Sequence, residues 1–149
     1  TIIPVNPAYE GELLFGQKVY TRMDQIEQPI DMVQVFRKSD AVPAIYEDAL
    51  ACWPALKTIW MQIGVKHEAT ARKAQARGID VVQDLCPKME HQRLSGELGK
   101  YGVNTGLVRA RLADVILASN ERLMGVKKTM ARIEQGNRVA PILLLHWAL

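Results

Sequence analysis

The sequence predicts an α/β domain built on an open parallel sheet flanked by helices. Two observations carry this. Short runs of strand character alternate with stretches of helical periodicity from residue 30 to about residue 98, the order that βαβ crossovers produce. The strand-like runs are also near-continuously apolar rather than alternating, as strands covered on both faces are.

Residues 1–5 open the chain with an apolar run stopped by Asn6-Pro7, the pattern of a buried strand ending in a turn. Residues 9–16 read as a loop, 18–20 as a short strand and 23–26 as a single helical turn before Pro29. Residues 30–36 form the second good strand. Ser39 is placed to cap a helix whose apolar members Val42, Ile45, Tyr46, Ala49, Leu50 and Trp53 recur at helical spacing until Pro54. Residues 58–63, β-branched and aromatic, are the third strand, and the Ala-rich stretch 67–77 is a helix closed by Gly78. Residues 80–83 make a fourth, short strand. Cys86-Pro87 then opens an amphipathic stretch to about Leu98, and 99–106, with three glycines, is a loop and boundary. Residues 1–106 are therefore expected to be the sheet domain and 107–149 a mainly helical extension.

The chain has 149 residues, 48% hydrophobic and 23% charged, which suits one globular domain. Its apolar run 142–145 is far too short to span a membrane. A net charge of +3, with Lys and Arg dispersed, gives no argument for nucleic acid and suits a small anionic ligand. Cys52 and Cys86 lie apart without C-x-x-C spacing, and the three histidines share no metal-ligand spacing. A reduced, cytoplasmic chain is the expectation. The sequence opens on an apolar strand without Met, which suggests a processed chain or a fragment of a longer one.

Ile3-Pro4-Val5-Asn6-Pro7, Gly16-Gln17-Lys18-Val19-Tyr20, Asp31-Met32-Val33-Gln34-Val35-Phe36-Arg37, Trp60-Met61-Gln62-Ile63-Gly64-Val65 and Cys86-Pro87-Lys88-Met89-Glu90-His91 occur in that order. Together they resemble successive motifs of the small bacterial and archaeal CoA-binding proteins. These are stand-alone domains similar to the N-terminal domain of the succinyl-CoA synthetase alpha subunit. The resemblance runs over roughly residues 1–112. It implies a Rossmann-like fold that binds coenzyme A or acyl-CoA without chemistry of its own, since no segment resembles the one carrying the phosphorylated His of the synthetases. Such domains begin with a helix, a first strand and a glycine-containing phosphate turn, a unit with no counterpart ahead of residue 1.

In an open parallel sheet, ligands lie outside the carboxyl ends of the strands. That rule and the resemblance select the same positions: Pro4, Asn6 and Pro7 after the first strand, Phe36 and Arg37 after the second, Gln62 and Gly64 after the third, and Cys86 after the fourth. Asn6 stands where an NAD site usually has an acid, and a neutral amide suits the phosphorylated ribose of CoA better. Arg37 can fork onto phosphate oxygens and Phe36 lie against an adenine; equally, Phe36 is core and Arg37 solvated, as Lys38 is expected to be. Gln62 serves a ligand or ties down a loop. Gly64 allows close backbone approach or merely a turn.

Two rivals remain. One is an interaction or regulatory domain that has lost its ligand along with the phosphate turn. The weaker is acyl transfer by Cys86, which has His91 five residues on, a spacing that puts the two on different faces of one helix. The apolar run 139–147 is first read as a peripheral helix or a tail for a protein partner or a second copy. Its alternative is a strand filling the sheet position left by the missing first strand.

Overall fold

The computed structural model describes residues 1–14, 16–94 and 142–145. Its centre is a five-stranded sheet in the order β1-β7-β4-β5-β6. The strands are β1 (Ile2–Val5), β4 (Met32–Val35), β5 (Thr58–Met61), β6 (Asp80–Val82) and β7 (Ile142–Leu145), and every pairing is parallel. A small antiparallel hairpin joins β2 (Leu13–Leu14) to β3 (Gln17–Lys18). Helix α1 (Val42–Cys52) connects β4 to β5, α2 (Glu68–Ala76) connects β5 to β6, and α3 (Pro87–Leu94) follows β6. The open parallel α/β architecture expected from the sequence is the one observed.

The continuous apolar character of β4 and β5 is explained by burial of all four residues of each strand. Ile3, Val5, Val33, Val35, Ile59 and Met61 alternate onto one face, where Ile45, Tyr46 and Ala49 of α1 and Ala74 of α2 join the same core cluster. The opposite face buries Pro4, Met32 and Trp60, and the Trp60 indole N–H donates to the Leu85 carbonyl at 2.6 Å. That bond anchors the entry to α3 against the sheet.

One local expectation changes. Ser39 does not cap α1. It starts a 3-10 turn over Ser39–Ala41, and its hydroxyl accepts from the Lys66 N–H at 3.0 Å, so it joins two loops instead. Pro43, with no N–H to leave unpaired, sits in the first turn of α1. In α2 the cap is His67, whose Nδ1 accepts from the Thr70 N–H at 3.2 Å, and Gly78 ends the turn with φ +78.

The larger correction concerns residues 142–145. Neither a peripheral helix nor a tail, they form β7 between β1 and β4, in register with both: Ile142 faces Ile2 and Met32, and Leu145 faces Val5 and Val35. The physical reason is the backbone. β1 and β4 do not pair with each other, so a gap one strand wide would leave both inner edges with buried, unsatisfied N–H and C=O groups. The stretch expected as a glycine loop at 99–106, the boundary at 106/107 and the remainder of the extension expected to be mainly helical, 107–141 and 146–149, lie outside the described residues.

Candidate functional site at the carboxyl edge of the sheet

Because all five strands are parallel, their carboxyl ends share one edge. Going outward from β4, the chain adds β5 and then β6 on one side, while β1 lies on the other side of β7. Strand order therefore changes direction between β1 and β4, and a crevice forms at such a switch point.

A cavity of about 350 Å³ opens there. Val5 and Pro7 supply it from the end of β1, Arg37 from the end of β4, and Thr21, Arg22 and Asp24 from the segment that follows the hairpin. It continues down the flank of α1 past Ile45, Asp48 and Cys52. The 21–24 segment is brought to the strand tips by backbone pairing: Tyr20 N–H donates to Pro4 O at 3.0 Å and Asn6 N–H to Tyr20 O at 2.8 Å. Gln25 then fastens the turn, its Oε1 accepting from the N–H groups of Thr21 and Arg22.

The residues expected at the site divide into two groups. Pro7 and Arg37 line the cavity, Pro7 exposed and Arg37 half-buried. Pro4 is fully buried within β1 and serves packing. Asn6 is only 4% exposed, and its Oδ1 accepts from the Ala8 N–H at 2.9 Å, capping the 3-10 turn Pro7–Tyr9. The amide at this position thus shapes the β1 exit. Phe36 is half-buried and Lys38 is exposed, as expected of it.

Gln62, Gly64 and Cys86 belong to a second group, outside the lining of that cavity. The loops after β4, β5 and β6 are stitched together here. Asp84 accepts from the Gly64 N–H at 2.7 Å and pairs with Lys66 Nζ at 3.1 Å, while Gln83 accepts from the His67 N–H at 2.8 Å. Gly64 has φ +83 and Asp84 φ 58, so two residues in left-handed backbone conformations face each other across this junction. The Gln62 backbone N–H donates to Val35 O at 3.0 Å, extending the β4–β5 ladder by one bond, whereas its buried Oε1 has no hydrogen-bond partner. Cys86 is half-buried at the start of α3, where its carbonyl accepts from the Glu90 N–H at 3.0 Å.

Electrostatically the cavity is mixed, with Arg22 and Arg37 against Asp24 and Asp48, and Arg22 paired with Asp24. Burial, then Asp24 and Asp48, push the Cys52 thiol above its ordinary value of 9.0, with Arg22 opposing. The protonated thiol is therefore the favoured form of Cys52 near pH 7. No group of His, Cys, Asp and Glu among the described residues is arranged to hold a metal ion, and no helix among them is long and apolar enough to cross a membrane.

A family model described as a CoA binding domain matches residues 1–92. The chain belongs to this family. The match covers β1 through most of α3, including both walls of the cavity at the strand tips. The uncharacterized protein YneT of Bacillus subtilis (strain 168) is 36% identical over 90 residues, which are 60% of this chain and 64% of that protein. The chain thus spans less than two thirds of that relative's length. A solved structure from Thermus thermophilus superposes with a TM-score of 0.57 at 34% identity, covering 62% of this chain and 67% of the other. A hypothetical protein from Pyrococcus horikoshii OT3 does so with 0.54 at 30% identity, covering 62% of each.

Of the residues lining this cavity, Pro7 and Arg37 were expected at the strand ends from the sequence, whereas Arg22 and the flank of α1 were not. The signal for Arg22 was faint. Only the parallel bridge between Val5 and Tyr20 shows that Thr21 and Arg22 arrive beside the tip of β1.

Proposed function

We propose that this domain binds coenzyme A or acyl-CoA across the crevice between β1 and β4 and does not transform it. The observation that carries the reading is the cavity at the switch point of a CoA-family sheet, with Arg22 and Arg37 in its wall and Asn6, not an acid, at the exit of β1. Arginine guanidinium groups suit phosphate oxygens, and at this edge they meet the anionic end of the cofactor. The cavity is at the small end for a ligand pocket. It takes one end of the cofactor while the rest lies along the sheet edge.

A non-catalytic role is supported by the two cysteines. Cys52 is held neutral. Cys86 opens α3, and His91, exposed on the same helix, lies five residues away and turned to another side. The reading rivalling CoA binding is an interaction domain without ligand.

Calorimetric titration separates these. CoA is expected to bind, NAD to bind far more weakly, and Arg37→Ala to cost CoA roughly tenfold or more in affinity. Absence of CoA binding to the intact chain would favour the ligand-free reading. Release of free CoA from acetyl-CoA by the wild type, lost in Cys86→Ala, would establish acyl transfer instead.

A further inference from the structure

Arg22 stands in the cavity wall with its charge already paired. Its Nε–H donates to Asp24 Oδ1 at 3.1 Å and its Nη2 pairs with Asp24 Oδ2, so the fork that could grip a ligand oxyanion is closed on a carboxylate lining the same cavity. The backbone beneath the pair is fixed. Gln25 Oε1 accepts from the Thr21 N–H and hydroxyl, both at 3.0 Å, and from the Arg22 N–H at 3.2 Å. Tyr20, just before them, bridges to Val5 at the tip of β1, and its carbonyl accepts from the Asn6 N–H at 2.8 Å. The side chains themselves are loosely held: those of Arg22 and Asp24 are 73% and 51% exposed, and an ion pair in that much water contributes little and opens readily.

Resting on the reading of the crevice as a CoA site, we propose that Arg22 reads the phosphate on the ribose of the cofactor, and that Asp24 is its internal competitor, holding the guanidinium until that phosphate replaces the carboxylate. Place and charge both support this. The exit of β1 borders the switch point, where dinucleotide-binding sheets meet the ribose with an acid, or with an arginine nearby when the ribose is phosphorylated. Here the exit residue is Asn6, whose side-chain oxygen is turned to the Ala8 N–H, and Arg22 is a cation brought beside it by the Tyr20 pairing. A phosphate monoester carries roughly two negative charges near neutral pH and offers three acceptor oxygens, against a single charge on the carboxylate of Asp24. It can therefore take the fork from the carboxylate. A ribose hydroxyl has no charge and leaves the pair closed.

The test titrates the full chain with CoA and with dephospho-CoA, which differ only in that phosphate. The wild type is expected to prefer CoA by about tenfold or more. Arg22→Ala should remove most of this preference, weakening CoA while leaving dephospho-CoA within about twofold. Asp24→Asn should do the opposite, tightening CoA by about threefold or more at low salt with no gain for dephospho-CoA, and the gain should vanish once Arg22→Ala is added. Equal wild-type affinities for the two compounds overturn the assignment while leaving CoA binding in place. So does a preference for CoA that survives Arg22→Ala. An Asp24→Asn chain that binds CoA no more tightly, or a gain that persists without Arg22, overturns the role of Asp24 as competitor. Binding of neither compound to the wild type overturns this inference and the CoA reading together.

Discussion

The two halves of the carboxyl edge are built on opposite plans. From β4 to β6 the strand-end loops are cross-linked: Ser39 to Lys66, Asp84 to Gly64 and Lys66, Gln83 to His67, and Trp60 to Leu85. From β1 to β4 the edge instead opens into a cavity, and the strand between them comes from far along the chain. Cross-linking fixes three neighbouring strands relative to one another, whereas the open half leaves room for a ligand. The difference teaches that Gln62, Gly64 and Cys86, although at strand ends, are in the part of the edge that holds itself together.

The strongest way to break this contrast is to attack β7. Leu144→Pro removes a ladder N–H from an interior strand and should cost about 3 kcal/mol or more in urea unfolding. The same change giving no loss would mean that β1 and β4 are held without the strand between them. Next comes binding. Gln62→Ala should leave CoA affinity within about twofold, against the much larger loss for Arg37→Ala, because only Arg37 lines the cavity. On the cross-linked side, Trp60→Phe deletes the indole bond to Leu85 from a fully buried ring and should lower stability by about 1–2 kcal/mol. Asp84→Asn keeps a residue that tolerates φ 58 but ends the ion pair with half-exposed Lys66, and should cost about 1 kcal/mol or less.

The smallest effect concerns pH. Folding raises the Cys52 thiol, so the folded chain holds that proton more tightly than the unfolded one. Its contribution to stability is present below about pH 9 and lost as pH rises through the folded value. Alkylation at pH 8 should accordingly be slower at Cys52 than at an unstructured peptide cysteine, followed by mass spectrometry of the modified peptide.

Much of the sheet was legible because burial on both faces writes itself as unbroken apolar runs, as in Met32–Val35 and Thr58–Met61. β7 was harder to read. A four-residue apolar run separated from its neighbours by so much chain suits a helix or a tail equally well, and only the unsatisfied edges of β1 and β4 decide for a strand. Ser39 shows the same limit on a small scale: an N-cap and a tertiary acceptor look identical until Lys66 is seen beside it. At the site, Arg37 follows a strand and is found by rule, but Arg22 reaches the edge through the bridge between Val5 and Tyr20, which has no local signature. Asn6 was placed correctly at the exit of β1, while its use as a cap depended on a 3-10 turn that no periodicity announces.

Amide chemical-shift mapping during a CoA titration probes the location of the cofactor most directly. The account predicts that the largest changes fall on Asn6, Ala8, Thr21, Arg22 and Arg37, at the tips of β1 and β4. Changes confined to Gln62, Gly64 and Cys86 would contradict it, as would an unaltered spectrum at high CoA concentration.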